Sequence, residues 1–332
     1  MMKICYRLKA SVMPPPTAPT APGPLYYLSP GPQLTCLSLH QGELLAGTTT
    51  GEVLSYNTNT WRELHRQKVF QAGGVLWLDL VEVEGQETLV SQGRFEAVKL
   101  LRRTGEAGGA WLELASFAIS HSGFCAGYLH RLQSDLVLAV PSDQSKVLVS
   151  RLVQTFIRPL CSLLKAEAGT VMTIAQAEAD TGRLLAGYEN GEIVLWDWNT
   201  NSQVLSVNLA PAIGTIMSLT WDREKRLGAV VGSEDKVVVL DQELEVVTER
   251  KVTNSGLSSA LVRADGKILV TGGWDGRLRV FSWLKPHKLK PLAVLQFHQE
   301  AVTSLSSCES PGGKHLVVAG GKDGKISVWD IY

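Results

Sequence analysis

Seven variants of one short pattern recur along this 332-residue chain, and that recurrence limits the fold more than any other feature. The clearest copies run from Leu184 to Asp197 (LLAGYENGEIVLWD) and from Leu316 to Asp330 (LVVAGGKDGKISVWD). Each reads as an apolar strand, a tight polar turn with Gly, and a second β-rich strand closing on Trp-Asp. Ile268 to Phe281 keeps the pattern with Phe281 in the Trp place, and Leu44 to Tyr56 keeps it with Tyr56. Leu227 to Leu240 loses the aromatic, while Leu89 to Leu101 and Leu136 to Leu148 are placed mainly by spacing. The anchors Leu44, Leu89, Leu136, Leu184, Leu227, Ile268 and Leu316 stand 45, 47, 48, 43, 41 and 48 residues apart.

A period of about 40–45 residues with small insertions is that of a four-stranded propeller blade of the WD40 type. The chain is therefore expected to be all-β, a seven-bladed WD40 β-propeller, with the second and third blades the most degenerate. Length alone would allow two ordinary domains, but a closed ring takes up nearly the whole chain. The expected organisation is a flexible Pro-rich tail over 1–24 and one propeller over 25–332. Rings of this kind present binding surfaces more often than active sites. Hydrophobic residues at 45% supply a core, and charged residues at 19% are too few for disorder. Net charge is zero, so no global field draws the chain to nucleic acid or to an acidic membrane. No apolar run reaches the roughly 18 residues of a membrane span. Cys5, Cys36, Cys125, Cys161 and Cys308 are scattered without zinc spacing and read as free thiols in a reducing compartment.

The last repeat reaches Trp329-Asp330 with no outermost strand after it. Leu25 to Ser29, short, aromatic and bounded by Pro24 and Pro30, is suited to supply that strand and so tie the two ends of the ring together. Blades of this type often bury a set of Trp, Asp, His and a hydroxyl. The last blade offers His298, Asp323 and Trp329, with its hydroxyl position read as Ala319 or Gly320. The sixth offers Thr271 and Asp275, and the fourth offers Trp196 with Asn190 at the turn. Trp61, Trp77, Trp111 and Trp221 are expected on strands.

No phosphate loop, nucleophile elbow or H-E-x-x-H motif occurs, and the seven His residues do not cluster as metal ligands would. No catalytic, cofactor or metal residue is expected. His298 and Asp323 could pass for a catalytic dyad, but no nucleophile accompanies them. The loop Trp283 to Pro291, with three Lys and one His, reads as a solvated hairpin connection. Candidate contact residues come from the turn between the second and third strands. The residue before the turn Asp or its equivalent is Glu189, Ser233, Trp274 and Lys322 in blades four to seven, with Tyr188 one place earlier. Glycines flank Trp274, which either stands out as an anchor near the channel or packs flat on its neighbouring blade.

Several runs resemble a particular family: 184–191, 273–281, 291–298 and 319–329, with Ser91-Gln-Gly-Arg94 and Ser122-Gly-Phe-Cys125 in the N-terminal half. They are similar to the guanine nucleotide-binding protein β-subunit-like protein 1 family, whose fungal relatives are ASTRA-associated WD-repeat proteins. The resemblance covers roughly 25–332 and is strongest after 180. It implies a non-enzymatic scaffold or adaptor in cytoplasm and nucleus. The implied partners are the chaperone-linked proteins that assemble and mature phosphatidylinositol 3-kinase-related kinases. Two alternatives are a reader of peptides or modified tails at the channel mouth, associated with chromatin, and a G-protein β-like signalling subunit. The last needs an N-terminal coiled-coil helix for a γ subunit, and six prolines between Pro14 and Pro24 rule out such a helix there.

Overall fold

The computed structural model describes residues 23–331 except 41, 106–107, 122, 133–134, 144, 178–181 and 311–312. The Pro-rich tail expected over 1–24 lies outside them apart from its last two residues. Among the described residues, 28 strands form seven antiparallel sheets of four. The innermost strands are Leu34–His40, Val75–Val83, Tyr128–Leu132, Val171–Gln176, Ile216–Asp222, Leu257–Val262 and Val302–Glu309, one for each blade in chain order. Every one of the seven repeat anchors sits on the second strand of its blade. Blades two and three, the degenerate copies, are as regular as the rest: Leu89 lies on Gln86–Gly93 and Leu136 on Asp135–Ser142.

Burial follows position within a blade. In the first, Glu43–Thr48 is wholly buried, whereas the outer strand Glu63–Lys68 carries Glu, His, Arg, Gln and Lys and faces solvent. A middle strand packs against neighbouring blades on both faces, so its run is almost purely apolar, and the outer strand can alternate. The apolar core accordingly lies between blades. One cluster joins Leu44 and Tyr56 of blade one to Val318 and Val328 of blade seven. Truncating a side chain such as Leu44, fully buried there, would cost about 2–5 kcal/mol.

Hydroxyls on the innermost strands stitch neighbouring blades together. Ser304 and Ser306 of blade seven accept the Leu37 and Leu39 N–H groups at 3.0 and 3.1 Å. Ser218 and Thr220 of blade five accept those of Ala260 and Val262 at 3.2 and 3.3 Å. The ring closes as the sequence predicts. Tyr26–Leu28 pairs antiparallel with Ile326–Asp330, setting Tyr26 opposite Val328, Tyr27 opposite Ser327 and Leu28 opposite Ile326. Tyr26 lies 5.9 Å from the Trp61 ring and Tyr27 5.4 Å from Phe297. Trp61 is not on a strand: it occupies a turn at φ 54°, buried under Tyr26. Trp77, Trp111 and Trp221 are on strands as expected. A second tie reaches the chain end, where the buried Arg263 forks onto Asp265 at 2.8 and 3.0 Å and donates to the Ile331 carbonyl.

Candidate interaction face

The first residue after the second strand occupies an equivalent place in all seven blades. Thr49, Arg94, Asp143, Glu189, Ser233, Trp274 and Lys322 each donate their backbone N–H, at 2.7–3.0 Å, to a carbonyl in the segment leading into the innermost strand. The shared bond sets these seven side chains in a circle around one end of the central channel. That channel has a volume of about 680 Å³, and Thr49, Arg94, Trp274 and Lys322 line it. They belong to blades one, two, six and seven, which are consecutive around the ring. The other three are turned back on their own blades: Glu189 accepts the Thr170 N–H at 3.1 Å, Asp143 accepts the Ser120 hydroxyl, and the Ser233 hydroxyl accepts the Thr215 N–H at 3.2 Å.

Trp274 is 48% exposed beside the channel, and where it is covered it packs on its own blade rather than flat on the neighbouring one. One face of the indole lies on Gly256, where an added Cβ would come within 2.2 Å of the ring; the rest of the side chain is open to the channel. Gly256 also has φ +84°, so it is glycine for two reasons. Lys322 and Glu189 are exposed as expected. Tyr188 corrects the sequence reading: it is fully buried, and its hydroxyl accepts the Trp196 indole N–H at 3.1 Å. Val194 stands where the last blade has its serine, so the Trp196 donor takes the tyrosine hydroxyl instead. Tyr188 belongs to the packing of the fourth blade.

The buried set of the last blade is complete, and its hydroxyl was misplaced by sequence reasoning. Ser327, not Ala319 or Gly320, fills that role. His298 Nδ1 donates to Asp323 at 3.0 Å, the Ser327 hydroxyl sits 2.8 Å from His298 Nε2, and Trp329 Nε1 donates to Ser327 Oγ at 2.8 Å. Ser327 is two residues before Trp329 on one strand, and that period of two would have located it. Burial lowers the His298 pKa, with Asp323 opposing, so the imidazole is neutral, with its Nδ1 proton toward Asp323 and Ser327 donating to Nε2. In blade six Asp275 binds Arg279 at 2.8 Å, and this nearly buried guanidinium stands where blade seven has Ser327. Burial would raise the Asp275 carboxyl, but the Arg279 hydrogen bond and charge hold it below its usual range. Thr271, expected to join Asp275, has a buried hydroxyl with no partner. These contacts hold turns in place: the Ser327 hydroxyl does adjoin the His298–Asp323 pair, contrary to the sequence expectation, but it is fully buried and taken up by the Trp329 indole N–H.

Two motifs from the N-terminal half meet at the joint between blades two and three. Gln92, fully buried, donates to the Cys125 carbonyl at 3.3 Å and accepts the Gly127 N–H at 2.6 Å. Beside them the Arg94 guanidinium lies 4.5 Å from the centre of the Phe95 ring and 3.8 Å from that of Phe124. Both rings are more than half exposed. Toward the opposite end of the channel, Arg223 donates to Tyr128 Oη at 3.0 Å and to Gln176 Oε1, linking blades three, four and five.

Comparison with known proteins agrees with this architecture. The "WD domain, G-beta repeat" family matches residues 249–282 and 289–330. Guanine nucleotide-binding protein subunit beta-like protein 1 of Mus musculus is 32% identical over 344 residues, covering 97% of this chain and 99% of that protein. ASTRA-associated protein 1 of Verticillium alfalfae is 31% identical over 217 residues, and that of Schizosaccharomyces japonicus 30% over 190. The matched region spans about half the length of these fungal relatives (51% and 48%). Sqt1 of Saccharomyces cerevisiae superposes with a TM-score of 0.66 at 16% identity, covering 87% of this chain and 81% of Sqt1, which speaks to the fold alone. The mouse protein aligns along nearly its whole length, and this chain therefore belongs to the guanine nucleotide-binding protein subunit beta-like protein 1 family, as a WD40 propeller scaffold and not an enzyme.

Proposed function

We propose that the ring serves as an adaptor in the chaperone-linked assembly that matures phosphatidylinositol 3-kinase-related kinases. The observation that carries this reading is the similarity to fungal proteins named for association with ASTRA, on a chain whose ring leaves a side-chain-rich channel mouth open on one face. A rigid ring has two faces and a rim, so it can hold several proteins at once without chemistry of its own. Trp274 is the contact residue this reading favours on that face, with Lys322 beside it, since half-exposed Trp is enriched among interface hot spots. The cations Arg94 and Lys322 weigh against a reader of lysine-rich modified tails, whose charge they would repel. The proposal includes residence in both cytoplasm and nucleus, to be checked by fractionation.

The test is recovery of the tagged chain from cells of its own source, beside a Trp274→Ala variant, with identification of co-purifying proteins. Recovery of kinase-maturation chaperones and their clients, reduced in the variant at unchanged melting temperature, is the expected result. G-protein γ subunits or histones in their place would overturn the reading.

A further inference from the structure

Charge is unevenly spread along a chain whose net charge is zero. Between Asp275 and Glu300 there is no Asp or Glu, and Lys285, His287, Lys288 and Lys290 fall in the middle of that stretch, on the loop 283–291 of blade six. All four side chains are exposed, and among the described residues the three lysines form no ion pair. The loop is nevertheless anchored, and only its cationic half is solvated. Trp283 at its base is fully buried, with its indole N–H on the Asp222 carboxylate of blade five at 2.8 Å. Pro286 and Leu289, interleaved with the cations, are buried too. The Ser282 N–H donates to the Lys290 carbonyl and the Trp283 N–H to the Lys267 carbonyl, both at 2.8 Å. Leu289 is held in the left-handed region at φ 35°, a conformation that persists only where its surroundings fix it. The lysines therefore project from backbone that a ligand does not have to order. Leu284, 65% exposed, stands beside them, and the 61% exposed Lys267 lies on the adjoining hairpin. The nearby acids are otherwise engaged: Asp265 is forked by Arg263, and Asp241 accepts the N–H groups of Glu243 and Glu245.

We propose that this loop, with Lys267 beside it, is a docking surface for an acidic segment of a partner protein: carboxylates on Lys285, Lys288 and Lys290, and an apolar side chain of the segment against Leu284. The loop joins the third strand of its blade to the fourth, whereas Trp274 lies between the second and third, so the two stand at opposite ends of the ring. The proposal thus goes beyond the adaptor reading, by giving the ring a second contact on its other face. With no net charge on the chain, the attraction is local and acts within a Debye length of about 8–10 Å. It favours acidic chain and repels basic chain, while Leu284 contributes affinity that survives salt. The loop offers no exposed Phe, Tyr or Trp on which bases would stack, which weighs against nucleic acid. One exposed leucine on the loop is too little apolar surface to enter lipid.

The experiment uses the full-length purified chain and a short fluorescein-labelled peptide of alternating glutamate and aspartate around one leucine, read by fluorescence anisotropy. Binding is expected to weaken about tenfold or more in the double variant Lys285→Glu, Lys288→Glu, and to weaken as salt rises. Both side chains are exposed, so the melting temperature should stay that of the parent. Lys68→Glu makes the same kind of charge change on the exposed outer strand of blade one and is expected to bind like the parent. Leu284→Ser is expected to reduce affinity while leaving the salt dependence in place. The proposal is overturned if the double variant binds the peptide like the parent, or if Lys68→Glu weakens binding as much. It is overturned too if a lysine-rich peptide of the same design binds equally well, or if oligouridine or phosphatidylserine vesicles bind in preference to the acidic peptide. The peptide assay needs neither a cellular partner nor the Trp274 face, so its failure leaves the adaptor reading to stand or fall on co-purification. Intact peptide binding without recovery of the kinase-maturation proteins would strike that reading instead.

Discussion

Consider replacing Ser327 by alanine. Its hydroxyl is the shared partner of two buried groups, the imidazole Nε2 of His298 and the indole N–H of Trp329, each at 2.8 Å. Removing it strands an acceptor and a donor at once, and water has no ready access because Ser327 is fully buried. A buried polar group left without a partner costs about 1–3 kcal/mol, so the pair comes to about 2–4 kcal/mol once some relaxation is allowed. For a domain of this size that loss lowers the melting temperature by about 3–6 °C. Ser55→Ala is the matched control. The Ser55 hydroxyl is also buried but has no partner, so its removal should leave stability unchanged or slightly raised. Calorimetry and denaturant titration of both variants give the answer. If Ser327→Ala costs no more than Ser55→Ala, the hydrogen-bonded set does not stabilise the last blade and the reasoning fails.

Removing residues 1–22 should leave the melting temperature near that of the full chain, whereas removing 1–30 strips Tyr26–Leu28 from Ile326–Asp330 and should lower it by several degrees; equal melts would refute closure by that strand. Arg263→Ala leaves the buried Asp265 carboxylate without its fork and frees the Ile331 carbonyl, an expected loss of about 3–5 kcal/mol in denaturant titration. Burial raises the Asp79 pKa from 3.8 to about 6, against the Leu80 N–H and Ser38 hydroxyl, so the ionised group is held at a disadvantage in the folded state. Its stabilising share is full below 3.8 and is lost as pH rises through about 6. Asp79→Asn should therefore be more stable at pH ~8 by about 1 kcal/mol, reduced for the third of the side chain that reaches solvent, and the gain should vanish near pH ~4. His298 has the opposite profile. Its lowered pKa makes the parent lose stability as pH falls below 6.5, and His298→Gln should flatten that slope.

Repeat spacing made the ring legible, because strands buried between blades must be apolar and the turns between them must be tight. Even the degenerate second and third blades were placed correctly by Leu89 and Leu136, whose period survives although their turn sequences do not. The closing strand was legible from its bounding prolines. What escaped was the direction of side chains at turns. Tyr188 and Glu189 are adjacent, yet one lies in the core and the other on the surface, since Tyr188 ends a strand packed on both faces and Glu189 opens the exposed turn. Trp61 looked like a strand residue because aromatic residues favour strands; it instead takes a left-handed position in the hairpin turn, its N–H on the Asn57 carbonyl at 2.7 Å, and packs beside Tyr26. The mouth circle was seen in blades four to seven only. Thr49, Arg94 and Asp143 complete it through a backbone bond that no residue type advertises.

Closure by a strand from the front of the chain has a kinetic side. Tyr26–Leu28 emerges first and its partner Ile326–Asp330 nearly last, about 300 residues later. At about 5–20 residues per second of synthesis, the first strand waits on the order of 15–60 s with nothing to pair with. Throughout that interval blade one has no blade seven beside it, and Leu44 and Tyr56 lack Leu316, Val318, Ile326 and Val328 of their apolar cluster. A nascent ring held open in this way leaves apolar surface uncovered until closure, and the long sequence separation makes the final step slow by loop-closure entropy as well. Moving the chain ends to another joint by circular permutation would shift that vulnerable interval to different blades without changing the finished ring.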